Sequence, residues 1–106
     1  MAAATWSSVA AASFSFEVFG KVQGVYFRKH TQKTARQHGL VGWCRNTASG
    51  SVEGVVQGRC ESLAAMREWL SSVGSPKSRI DGCEFDNERE LEDGEALEFG
   101  EFAIRR

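Results

Sequence analysis

The sequence predicts a single α+β domain: an antiparallel sheet of four to five strands with two helices packed on one face. Three observations carry that expectation. Apolar and polar residues alternate through Phe14, Phe16 and Val18, while Leu63, Met66, Leu70 and Val73 recur at three- and four-residue steps. Segments of these two kinds follow in the order β-α-β-β-α-β, with one further strand at the end.

The first strand holds Phe14, Phe16 and Val18 inward, with Ser13, Ser15 and Glu17 outward, and Gly20 bounds it. From Phe27 to His38 no glycine or proline intervenes. Phe27, Thr31, Ala35 and His38 fall at helical spacing, and Gly39 is placed to end the helix. The stretches "VGWCRNT" and "SVEGVVQG" flank "ASGS", which makes them a hairpin with a short glycine-containing turn. A second helix spans about 61–73 and stops at Gly74 and Pro76. Ile80 to Phe85 reads as a fourth strand with a change of parity near Gly82, suggesting a bulge. The acidic run over 86–96 reads as a solvated connection, and "LEFGEFAIR" supplies a last strand with Phe102 and Ile104 inward.

This order is that of the split-βαβ, ferredoxin-like sandwich. In that topology the first and second strands run parallel, with the third antiparallel between them. Their carboxyl ends share one sheet edge, so the loop after Phe19 and the residues around Asn46 should meet there. Residues 1–12, rich in Ala and Ser, read as a disordered tail, and 13–106 as the domain.

Composition narrows the function. The 106 residues carry a net charge of −1, which disfavours nucleic acid, whose binders normally carry a basic excess. RNA recognition on a sheet of this kind needs displayed aromatics, and "SVEGVVQG" has none. No apolar run approaches the roughly 18 residues of a membrane span, and the start lacks the pattern of a secretory signal. Cys44, Cys60 and Cys83 show no metal-type spacing and read as structural thiols, which points to a reducing, cytoplasmic setting. With no exposed apolar stripe in evidence, a monomer is expected.

The stretch "FGKVQGVYFR" is the most informative in the chain. A glycine-containing loop between a strand and a helix turns several N–H groups toward one space, beside the positive end of the helix dipole. Gly20 and Gly24 lack Cβ atoms that would hinder an approaching anion. Arg28, in the first helical turn, offers a planar fork suited to two phosphate oxygens. A cation there is unfavourable by up to about 1 kcal/mol unless an anion lies between it and the amides. The loop is neither a Walker A motif nor a dinucleotide fingerprint, because the spacings differ.

Taken in order and spacing, "FGKVQGVYFR", "VGWCRNT", "SVEGVVQG" and "VGSPKSRID" resemble the acylphosphatase family over about residues 14–105. The resemblance implies hydrolysis of the carboxyl–phosphate anhydride of acyl phosphates. It places the substrate-binding arginine at Arg28 and the catalytic asparagine at Asn46. The phosphate-cradling loop falls on Gly20, Lys21, Val22, Gln23, Gly24, Val25, Tyr26 and Phe27, with Thr47 beside the asparagine. Lys21 stands where arginine is common in the family, the chain ends in "AIRR" where several members end in tyrosine, and the 86–96 connection is somewhat long. The partners implied are a small acyl phosphate and inorganic phosphate, with no metal, no other cofactor and no phosphoenzyme. Cys44 shares a strand parity with Asn46, but a packing role is expected of it rather than a nucleophilic one.

Overall fold

A computed structural model describes residues 11–91 and 99–105. Strands β1 (Ala11–Lys21), β2 (Val41–Asn46), β3 (Val52–Arg59), β4 (Arg79–Leu91) and β5 (Phe102–Ile104) form one sheet in the order β4-β1-β3-β2-β5. Helix α1 (Phe27–Gln37) follows β1, and α2 (Cys60–Glu68) follows β3. The order and the two helices on one face are those of the split-βαβ sandwich. All strand pairs are antiparallel except β2–β5, which is parallel, so the sheet is mixed.

Register decides where chemistry can occur. Val52 of β3 stands opposite Val18 of β1 on one side and Asn46 of β2 on the other. The carboxyl ends of β1 and β2 therefore lie level, separated by one strand. Phe14, Phe16, Val18, Val52, Val56 and Cys44 are buried on the helix side of the sheet. Each fully buried apolar side chain of this size stabilises the fold by about 1.5–3 kcal/mol. Gly54 belongs to the same face because a Cβ there would lie 2.6 Å from the Phe16 ring.

Helix α1 forms because Phe27, Thr31 and Ala35 fall on one buried stripe. Gly39, at φ 69°, ends it: the N–H of Leu40 reaches the Ala35 carbonyl at 2.9 Å and that of Gly39 the Arg36 carbonyl at 3.1 Å, a Schellman arrangement. In α2, Cys60, Leu63 and Met66 are buried, and the chain continues through a wider π-type turn at Trp69–Val73 that buries Leu70. The N–H of Gly74 closes that turn on the Trp69 carbonyl at 3.0 Å. The wider winding sets Trp69 against Phe27, ring centroids 5.4 Å apart, which joins the end of α2 to the start of α1.

Several boundaries differ from the sequence expectation. Strand β1 begins at Ala11, with Ala12 buried against the Gly58 and Glu90 registers, so the strand enters the segment read as tail; residues 1–10 lie outside the described ones. The 86–96 connection is strand as far as Leu91, because its charged residues project from an edge strand that ladders onto β1. The rest of that connection, 92–98, lies outside the described residues. The expected bulge is present: Phe19 pairs with Gly82 and Gly20 with Ile80, leaving Asp81 extra. A second irregularity sits near Asn87, at φ 54°.

Candidate active site

Between β1 and α1 the chain crosses the sheet edge through Val22–Tyr26, with no side chain capping the first N–H groups of α1. A cavity of about 550 Å³ opens there, lined by Val22, Gly24, Tyr26, Phe27, Arg28, Lys29, Asn46 and Ile104. Gly24, at φ 73°, borders it with open space where a Cβ would stand, so backbone N–H groups can be approached closely.

The loop is held from two sides. Gln23 donates both hydrogens of its side-chain amide, one to the Thr47 carbonyl and one to the Ser51 carbonyl, each at 2.9 Å. Those carbonyls belong to the β2–β3 turn, immediately after Asn46. The turn is braced in its own right: Thr47 N–H donates to Ser51 O at 2.9 Å, the Thr47 and Ser51 hydroxyls are 2.6 Å apart, and Ser51 Oγ donates to Glu17 Oε2 at 2.5 Å. On the other side, buried Ser75 donates its hydroxyl to the Val25 carbonyl at 2.9 Å.

Arg28 and Asn46 bring to the cavity polar groups without partners among the described residues. Arg28 makes no ion pair among the described residues, whereas Arg36, Arg45, Arg59, Arg67 and Arg79 each meet a carboxylate. Asn46 Oδ1 is buried with no hydrogen-bond partner among the described residues. A guanidinium calls for an anion and a bare amide oxygen for a donor, and each unmet buried acceptor costs about 1–3 kcal/mol. Helix α1 carries no acidic residue in its first turn to offset Arg28 and Lys29.

Cys44 is fully buried, its Sγ 3.8 Å from the Arg28 carbonyl oxygen. Burial pushes its thiol up to about 12, and the positive charge of Arg28 only partly offsets this. At neutral pH it is a protonated packing group, not a nucleophile. Among the described residues no cluster of three or more His, Cys, Asp or Glu side chains could hold a metal ion.

The residues singled out from sequence divide into three sets. Val22, Gly24, Tyr26, Phe27, Arg28 and Asn46 line the cavity. Gln23, Val25 and Thr47 join the loop to its supports. Gly20 and Lys21 end β1 and are not among the lining residues. The reading of Gly20 as room for an anion gives way here: a Cβ, at its φ of 130°, would lie 2.1 Å from the Arg79 carbonyl oxygen, so its space is taken by β4.

Lys29 and Ile104 also line the cavity. Inward alternation in the last strand marks Ile104, but only the β2–β5 pairing, with Ile104 opposite Cys44, brings it to this edge. Ser75 and Glu17 carry no sequence signal for their supporting roles. A smaller depression of about 230 Å³ is lined by Glu17, Glu53, Glu84 and Asp86, and this carboxylate lining repels an anion.

Comparison with known proteins bears on the family and the fold. The family model described as Acylphosphatase matches residues 14–104. The turkey (Meleagris gallopavo) protein Acylphosphatase-2 is 50% identical over 105 residues, covering 99% of each chain. The mouse (Mus musculus) Acylphosphatase-2 is 52% identical over 93 residues, 88% of this chain and 85% of that protein. The solved structure of an acylphosphatase from Coxiella burnetii superposes with a TM-score of 0.78 at 30% identity, covering 91% of this chain and 94% of that one.

Proposed function

The chain belongs to the acylphosphatase family, and from that premise we propose that it hydrolyses acyl phosphates by in-line attack of water on phosphorus, with Arg28 and Asn46 in separate roles. Arg28 and the N–H groups of the loop hold the phosphoryl oxygens. Asn46 Oδ1 accepts a hydrogen bond from water and aims its oxygen at phosphorus. The supporting observation is the pairing of a guanidinium without a carboxylate and a buried, unpartnered amide oxygen in one cavity.

The chemistry needs little more. The phosphorus–oxygen bond to the acyl group breaks as the water oxygen bonds to phosphorus. One water proton stays on that oxygen, the other passes to a phosphoryl oxygen, and the carboxylate departs with the bonding pair. A carboxylate leaves without a general acid because its own pKa is low. The transition state is loose, with charge spread over equatorial oxygens, so positioning and charge stabilisation carry the catalysis. The fixed cation at Arg28 supplies that charge, and the scheme requires neither a metal ion nor a covalent phosphoenzyme. Asn46 does not titrate, so it orients water while the phosphoryl group takes the proton.

Phosphate release from benzoyl phosphate tests this reading. Asn46→Ala should lower turnover by about a hundredfold or more while inorganic phosphate still inhibits at nearly the original concentration. Arg28→Gln should weaken both together. A fully active Asn46→Ala enzyme would remove the water-orienting role.

A further inference from the structure

The cavity is larger than one phosphoryl group requires. Its volume of about 550 Å³ lies within the ~300–1,000 Å³ of sites that enclose whole small molecules. Gly24, Arg28 and Asn46 supply its polar side. Val22, Phe27, Tyr26 and Ile104 are its apolar lining, and of these Val22 and Phe27 are buried in the core whereas Tyr26 is exposed.

Tyr26 is unusual on three counts. It is 76% exposed, and the only other exposed large hydrophobic among the described residues is Val73. Its φ of 59° is left-handed; the other non-glycine residue of that kind is Asn87, a type that tolerates the conformation, whereas a bulky aromatic does not. Its hydroxyl has no hydrogen-bond partner among the described residues. In the free protein, then, neither burial nor a hydrogen bond offsets the backbone conformation at this position. Glycine would adopt it without penalty, so the side chain has a use outside the fold.

We infer that Tyr26 is the acyl-group contact of this cavity, and that the site selects acyl phosphates whose acyl group presents an apolar, flat surface, an aroyl group above all. This rests on the hydrolase reading given above. With the phosphoryl group held by Arg28 and the loop amides, the acyl group must occupy the rest of the cavity, whose lining includes Tyr26 and Ile104. Lys29 offers the contrasting choice, an acyl group with an anionic tail. It is exposed and borders an open groove along α1 with Lys33 and Arg36, where water screens a charge and binding gains little.

The test uses three non-hydrolysable isosteres, each with a methylene in place of the bridging oxygen: acetonylphosphonate, phenacylphosphonate and 5-phosphonolevulinate. Affinities are measured by calorimetry on the intact protein and on Tyr26→Phe, Tyr26→Ala and Tyr26→Gly, with circular dichroism confirming the fold. The intact protein should bind phenacylphosphonate most tightly. The ratio of phenacyl to acetonyl affinity should fall about three- to tenfold in Tyr26→Ala and Tyr26→Gly, and hold in Tyr26→Phe. An unchanged ratio, with both affinities equally weakened or neither, would overturn the inference by reducing Tyr26 to a shaper of the loop. Tightest binding of 5-phosphonolevulinate would overturn it in favour of Lys29. If the intact protein bound no phosphonate and released no phosphate from acetyl or benzoyl phosphate, the hydrolase reading itself would fail.

Discussion

Gln23→Leu removes the two hydrogen bonds that tie the loop before α1 to the turn behind Asn46, and keeps the side chain's size. Each is a neutral N–H···O bond at 2.9 Å, worth about 0.5–1.5 kcal/mol net. The acceptors are not stranded: Ser51 O still receives Thr47 N–H at 2.9 Å, and Thr47 O still receives Gly50 N–H at 3.3 Å. The loss therefore belongs near the lower part of the summed range, about 1–2 kcal/mol. Expressed entirely in the positioning of Asn46, that is about a five- to thirtyfold drop in kcat. Inhibition by phosphate should move far less, because Arg28 and the loop amides are retained. Steady-state kinetics on benzoyl phosphate with phosphate as inhibitor separates the two effects. A double-mutant cycle strengthens the test: in an Asn46→Ala background, Gln23→Leu should cost no further turnover. Equal losses in kcat and phosphate affinity, or the same added loss in the Asn46→Ala background, would refute the positioning role.

Further outcomes follow from burial, charge and crowding. Cys44 keeps its proton in the native state up to about pH 12, whereas an unfolded thiol titrates near ~8.5; the unfolded chain then binds fewer protons, and stability should fall by up to about 1.4 kcal/mol per pH unit above that value. Urea midpoints across that alkaline window should decline less steeply in Cys44→Ala, and an identical slope would contradict the assignment. On the open sheet face Glu17 stands opposite both Glu53 and Glu84. Glu84→Lys should raise stability by about 0.2–1 kcal/mol at low salt and by little in concentrated salt. Gly20→Ala should destabilise by about 1–3 kcal/mol or more, since its Cβ would meet the Arg79 carbonyl; Gly24→Ala, with nothing within 4 Å, should cost only the left-handed backbone penalty of about 1–2 kcal/mol. Thermal melts of the two glycine variants make that comparison.

Local patterns in the sequence carry most of the fold. Alternation at Phe14, Phe16 and Val18 and the stripe at Leu63, Met66 and Leu70 each report a buried face directly, and the element order then fixes which strand ends meet. What escaped was structure imposed from a distance. Residues 86–91 look solvated because they are charged, yet an edge strand tolerates charges while its backbone pairs with β1. Ala11 and Ala12 have weak strand propensity and are recruited by partners on both sides. At the site, Arg28 and the glycine loop announce themselves through chemistry in one short stretch. The role of Gln23 depends on carbonyls of residues 47 and 51, and that of Gly20 on a carbonyl of residue 79, so neither follows from local spacing.

Because β3 lies between the two strands whose ends lie level, Arg28 and Asn46 cannot be brought together by any contiguous fragment that stops before Val52. Turnover is thus a gauge of long-range closure. During refolding, helical signal can return as soon as local segments wind, while phosphate release must await the central strand seating between its neighbours. A lag between the two would time that last event with no label attached to the chain.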